Sequence, residues 1–194
     1  MKKASHDHEF EMVLDHYNES YLKLSKSRII FINQPIDYDI SSTLSALLFY
    51  YDHQSQTEDI IMYINSVGGN SAALSNIYDV MQMIQSPIKT ICLAKCYSAA
   101  AVMLAAGAKG KRYCFKNSEV MIHGLQCSFP TIDNTSKIDS EGYLQFLNDH
   151  NNQIMKILAR HTGKSFAEIR EDCKKDVFLS PKEAIAYGLA DHII

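Results

Sequence analysis

The chain has 194 residues, 46% of them hydrophobic, a formal net charge of -3 and five cysteines. Such a length buries one sizeable core and suits a single domain. The charge balance leaves no basic face for nucleic acid and no acidic tail, and no apolar run approaches the ~20 residues that span a bilayer. Cys92, Cys96, Cys114, Cys127 and Cys173 are an odd number, three of them in apolar surroundings, which fits reduced thiols in the cytoplasm better than a disulfide framework. Cys92 and Cys96 lack the Cys-x-x-Cys spacing of a zinc site, and His6-x-His8 lies in a polar tail. No metal or other cofactor is therefore expected.

Residues 1–20 form a charged opening segment. Met1 to Glu11 lacks the apolar core of a secretory signal, while Phe10, Val13, Leu14 and Tyr17 fall at helical spacing. Arg28 to Ile32 reads as a strand ended by Asn33-Gln34-Pro35. Leu44, Leu47, Leu48 and Tyr51 predict an amphipathic helix over Ser41 to Tyr51, capped by Ser41 or Ser42. A second strand, Ile60 to Ile64, runs into Asn65-Ser66-Val67-Gly68-Gly69-Asn70. The next helix spans Ala72 to Gln85 and is stopped by Pro87. A third strand, Lys89 to Leu93, breaks at a polar corner, and an Ala-rich helix begins near Ser98. Strands and helices alternating with short joins predict an α/β domain with parallel pairing and right-handed crossovers. In such domains ligands gather at the carboxyl ends of strands.

Two short strands follow, Arg112 to Phe115 and Glu119 to Ile122, the second ending at His123-Gly124. After a polar stretch from Gln126 to Asp139, a long helix over Ser140 to His161 carries Tyr143, Leu144, Leu147, Ile154, Met155 and Leu158 on one stripe. Its polar middle, Asn148 to Asn152, predicts that part of it projects from the globule. Gly163 suits a left-handed C-terminal cap. A short helix over Phe166 to Asp172 leads to Asp176-Val177-Phe178-Leu179-Ser180. A helix opening on Pro181, then Gly188 and an apolar final strand close the chain. There is no repeat, no low-complexity tract and no long linker.

Splitting an amide needs a nucleophile, a base, a group to orient that base, and donors for the oxyanion. Ser98 is the candidate nucleophile, placed where unpaired N–H groups and the positive end of a helix dipole favour negative charge. His123 at a strand end is the candidate base and Asp176 the later carboxylate. The N–H groups of Gly69 and Ala99 are candidate oxyanion donors, glycine tolerating the positive φ and close approach required. Each taken alone has a plainer reading: a helix-capping serine, an ordinary histidine, a surface aspartate, a glycine turn. The Gly-x-Ser-x-Gly elbow is absent, because Cys96 and Ala100 occupy its glycine positions. Nothing in the spacing of Lys95 supports a Ser–Lys dyad.

Several longer motifs carry a resemblance. Tyr63-Ile64-Asn65-Ser66-Val67-Gly68-Gly69, Ile77-Tyr78-Asp79-Val80-Met81, Ala106 to Tyr113, Val120-Met121-Ile122-His123 and Phe178 to Asp191 resemble the ClpP family, the proteolytic subunit of the Clp protease. The likeness runs in register from about Tyr21 to the C-terminus, which defines a peptidase domain over 21–194. It implies a crotonase-like fold of stacked ββα units with a protruding helical handle, and heptameric rings stacked in pairs, a tetradecamer, around enclosed sites. It implies an AAA+ Clp unfoldase as partner, unfolded polypeptides as substrate, and no cofactor. Residue by residue, Ser98 falls on the nucleophile, His123 on the general base, Asp176 on the orienting carboxylate, and Gly69 and Ala99 on the oxyanion hole. No phosphate loop for ATP is present.

The departures from the family pattern are local. Ala94-Lys95-Cys96-Tyr97-Ser98-Ala99-Ala100 stands where the family usually reads Gly-Gln-Ala-Ala-Ser-Met-Gly, Val67 stands for proline, and Gly124 to Pro130 replaces Gln-Pro and a glycine-rich strand. The segment before Tyr21 does not match the family's pore-lining loop. These departures fit a divergent paralogue, and they motivate a second reading as a catalytically weak subunit that completes mixed rings with another ClpP-type chain. A third reading is a crotonase-fold acyl-CoA enzyme using Gly69 as oxyanion donor. It requires a catalytic glutamate pair, which the sequence does not offer at these motifs.

Overall fold

The computed structural model describes residues 19–125 and 140–194. The apolar stripe Phe10 to Tyr17, Cys127 and the rest of the stretch 126–139 lie outside the described residues. Residues 19–26 are helical (α1). The remaining order is β1 (Ile29–Ile32), α2 (Tyr38–Gln54), β2 (Ile60–Ser66), α3 (Ser71–Met83), β3 (Ile88–Tyr97), α4 (Ala99–Ala105), β4 (Arg112–Cys114), β5 (Glu119–Ile122), α5 (Ser140–Thr162), α6 (Phe166–Asp172), β6 (Val177–Leu179), α7 (Pro181–Tyr187) and β7 (His192–Ile193).

The sheet runs β1-β2-β3-β4-β7, with β5 and β6 branching from β3. All pairings are parallel except β5 with β6. The branch comes from the length of β3. Its first half, Thr90 to Cys92, pairs with β4, and its second half, Lys95 to Tyr97, pairs with β5. The mixed α/β architecture with mainly parallel pairing is the expected one.

Two expectations need correction. Helix α2 starts three residues before Ser41, and its cap is Asp37, whose carboxylate accepts the Ile40 N–H at 2.9 Å. Ser41 is instead buried and donates to the carbonyl of Ala73, while Ser42 bonds back to the carbonyl of Tyr38. The polar corner expected after Leu93 does not exist, since β3 continues to Tyr97. Cys96 faces the core at 0% exposure between outward-turned Lys95 and Tyr97. Over these last three residues the side chains alternate between the two faces, as they do along a strand.

The core lies between the sheet and helices α2, α3, α4 and the C-terminal part of α5. Ile32, Ile64, Leu74, Ile77, Met103 and Leu104 are fully buried. Every residue of α4 is buried, and it touches β2, β3, β4, β5, α3 and α5. An alanine-rich helix suits that place, because small side chains let backbones approach on all sides while keeping good helix propensity. Along α5 the two ends differ. Met155, Ile157 and Leu158 are buried, whereas Leu144 and Phe146 are 43% and 63% exposed. Gly163 follows with φ 78, as a left-handed helix end requires.

Two buried arginines tie loops to this frame. Arg28 donates to the carbonyls of Tyr51, Ser55, Glu58 and Asp59 and to the Ser86 hydroxyl. Arg112 forks onto both carboxylate oxygens of Asp191 at 2.9 and 2.6 Å and donates to the carbonyls of Ala105, His161 and Gly188.

Candidate active site

Ser98 sits at the junction of β3 and α4, one residue past the last β3–β5 pair, Tyr97 with Met121. Its backbone is at φ 54, ψ -120, and besides Arg28 it is the one non-glycine residue with positive φ among the described residues. Such a conformation costs on the order of 1–3 kcal/mol and persists only where surroundings impose it. Here the Ser98 N–H donates to the Met121 carbonyl at 2.8 Å, holding the turn on β5. The side chain makes no capping bond to α4. The plain reading of Ser98 as a cap thus loses its basis.

The glycine loop closes on this turn. A Cβ on Gly68 would lie 2.6 Å from the Tyr97 carbonyl oxygen and 2.8 Å from Ser98 Cβ, and one on Gly69 would lie 2.2 Å from the Ile36 carbonyl oxygen. Both glycines have positive φ, 90 and 156. No side chain fits at either position. Ile36 forms a parallel bridge with Gly69, donating to the Gly68 carbonyl at 2.9 Å and accepting from the Asn70 N–H at 2.7 Å. In a parallel ladder the bridged residue's own N–H points to the opposite side, so the Gly69 N–H is turned away from Ile36. Ala99 is the first residue of α4, and its N–H has no partner within the helix. Asn70 then caps α3, accepting from the N–H groups of Ala72 and Ala73.

The antiparallel β5–β6 ladder supplies the other two groups. Ile122 pairs with Val177, so one step further His123 faces Asp176. His123 Nδ1 and an Asp176 oxygen are 3.5 Å apart, with the imidazole 12% and the carboxylate 48% exposed. Behind His123, the Gly124 N–H donates to the Cys173 carbonyl at 2.8 Å, and the Leu125 N–H to the Asn151 side chain at 2.9 Å. The end of β5 is thereby tied to α6 and α5.

Gly69, Ser98, Ala99, His123 and Asp176 all border one cleft of about 730 Å³. Tyr143, Leu147, Ile154 and Leu158 of α5 form its apolar wall. They belong to the stripe visible in the sequence, but only the packing turns that stripe toward Ser98. Sequence reasoning passed over Glu119 and Phe178, which contact Tyr97 beside Ser98. The Tyr97 hydroxyl donates to Glu119, and that bond, with some burial, pushes the phenol up to about 12. Counting register through β3, β5 and β6 would have found both residues, had the end of β3 been placed correctly.

Among the described residues no cluster of His, Cys, Asp or Glu is arranged to hold a metal ion, and no helix is long and apolar enough to cross a membrane. Cys92, Cys96, Cys114 and Cys173 are buried free thiols. Burial pushes the Cys173 thiol up to about 11, which makes it a poor nucleophile. Asp176 is the one acid among the described residues lining the cleft. The Clp protease family profile matches residues 13–194, a span that takes in the glycine loop, the strained serine turn and the histidine–aspartate ladder together. With that match over nearly the whole length, the chain belongs to the Clp protease family.

Proposed function

We propose that the protein is the serine endopeptidase subunit of a Clp-type chambered protease, cleaving unfolded polypeptides delivered by an AAA+ Clp unfoldase. The observation that carries this reading is the strained Ser98 turn, its hydroxyl unused as a cap, in one cleft with the His123–Asp176 pair. Ser98 attacks the scissile carbonyl, and His123 takes its proton and returns it to the leaving amine. With Nδ1 on the Asp176 side, Nε2 is the ring nitrogen left for the hydroxyl, and Asp176 stabilises the imidazolium that forms. The Gly69 and Ala99 N–H groups receive the oxyanion, each such donor contributing roughly 3–4 kcal/mol in comparable sites.

The family implies rings and Clp unfoldases in general. In this chain we take the β3 branch as part of a crotonase-like stack of ββα units, and the exposed N-terminal half of α5 as a handle meeting a second ring. Paired heptamers in the cytoplasm would enclose the cleft and confine cleavage to threaded chains. The test is labelling with a serine-reactive fluorophosphonate alongside peptide hydrolysis. Ser98 is expected to carry the label, and Ser98→Ala to lose about 10³-fold or more in kcat with unchanged assembly. An assembled protein left unlabelled at Ser98, or an active Ser98→Ala variant, overturns the assignment.

A second reading rests on the slack of the same geometry, a 3.5 Å His123–Asp176 separation with Asp176 half exposed. In that reading the lone subunit is weakly active and gains activity in mixed rings with another ClpP-type chain. Equal specific activity of the isolated protein and the mixture removes it.

A further inference from the structure

We infer that Tyr97 is a positioning residue that braces the strand carrying Asp176 against the turn carrying Ser98. The inference rests on the peptidase reading above and deepens it. Tyr97 is the register partner of Met121, and Met121 is the register partner of Phe178. These three form the last row paired across all three strands, with only the Ile122–Val177 pair between it and the site. Ser98 lies one residue beyond this row on β3, His123 two residues beyond it on β5, and Asp176 two residues before Phe178 on the antiparallel β6. Register partners share a face of a sheet, and Cys96 and Val120, the neighbours that face the core, are fully buried. Tyr97, Met121 and Phe178 therefore stand together on the opposite face.

On that face the Tyr97 ring reaches over the β5 strand and meets Phe178 edge to face, with centroids 5.8 Å apart and planes at 89°. Its hydroxyl donates to Glu119, and the Lys95 ammonium lies 5.7 Å from the ring centroid. One side chain thus links three strands that each carry one member of the site. Besides it, β6 is held by a three-residue ladder and by Leu179 buried in the core, while Phe178 on the outer face is 55% exposed. Edge-to-face ring pairs contribute directional attraction beyond area burial, and a displacement of about 1 Å at a reacting group can cost 10²-fold in rate. The ring, not the hydroxyl, spans the distance to Phe178.

The experiment compares wild type, Tyr97→Ala, Tyr97→Phe, Phe178→Ala and the double alanine variant, as full-length assembled protein. It reads fluorophosphonate labelling of Ser98 together with kcat and KM on a short peptide. Tyr97→Ala is expected to slow labelling and kcat by roughly 10-fold or more, within the range for misplaced catalytic groups, with KM within about twofold of wild type. Tyr97→Phe is expected to restore wild-type rates within about twofold. Phe178→Ala, at an exposed position that leaves folding intact, is expected to lower kcat in the same direction, and the double variant to be no slower than Tyr97→Ala alone, because both remove one contact. Wild-type labelling and kcat in both single alanine variants overturn the inference while leaving the peptidase reading intact. So does a change confined to KM, which would make Tyr97 a substrate-contacting wall, and so does additivity in the double variant. A wild-type protein unlabelled at Ser98 overturns the peptidase reading and the positioning role with it.

Discussion

Two carboxylates in this fold face a basic side chain at a strand end, and their surroundings differ at every point. Asp191 grips Arg112 through both oxygens at 2.6–2.9 Å, and accepts the Gly110 and Arg112 N–H groups, with the two side chains 13% and 3% exposed. Asp176 stands 3.5 Å from His123, is 48% exposed, and has a ring rather than a fork opposite it. Burial alone would push the Asp191 carboxyl up, but the bonds and charge of Arg112 outweigh it and hold it below the ordinary carboxylate range. The first pair is saturated and closes the sheet edge. The second is held by one longer contact and is partly solvated, and under the peptidase reading its carboxylate keeps its charge and stabilises the imidazolium rather than taking the proton itself.

Breaking the saturated pair is the strongest way to sharpen this contrast. Asp191→Ala leaves a buried guanidinium without its counter-ion and is expected to cost about 3–5 kcal/mol of stability, read as a lower midpoint in urea. The counterpart at the site, Asp176→Asn, is expected to leave the urea midpoint within ~0.5 kcal/mol of wild type, as surface substitutions usually do. It should lower kcat by roughly 10⁴-fold, about 5.4 kcal/mol at the transition state. If Asp191→Ala lost activity with no change in stability, or Asp176→Asn unfolded the protein, the two roles would be exchanged.

A finer test lies between the two regions. His161, at the end of α5, has its imidazole pushed down to about 4 by burial, with Arg112 and Arg160 adding to it. Its Nε2 lies 3.1 Å from the Tyr78 hydroxyl. An unfolded histidine takes its proton near pH 6.5, so the folded state binds fewer protons below that pH. The stability tied to neutral His161 is complete above about pH 6.5 and is lost as pH falls toward about 4. His161→Gln is therefore expected to flatten the pH dependence of the urea midpoint across that window. An unchanged slope would show that the histidine is solvated and protonates freely.

Much of the architecture was legible from local pattern. Helix α6 over Phe166 to Asp172, the Pro181 start of α7 and the Gly163 helix end were all readable, because caps and breakers act within a few residues of themselves. The start of α2 was misread for the same reason that caps are informative. Ser41 and Ser42 are good caps by type, yet Asp37 lies earlier and takes the role, leaving Ser41 for a tertiary bond to Ala73. The candidate site was legible as residue types at strand ends. What could not be read was the extension of β3 to Tyr97, and with it the row Tyr97–Met121–Phe178, because a strand's last residues are decided by which neighbour pairs with them.

Most element types and the family motifs can be read along the chain, since they depend on local conformational cost and on residue patterns within a few positions of each other. The packed fold was needed to see that β3 divides its two halves between β4 and β5, that Ser98 is held at positive φ without capping its helix, and that His123 meets Asp176 one step past Ile122 and Val177. The reason is physical. Register across strands is set by backbone bonds between residues distant along the chain, so its consequences become visible when the strands are side by side.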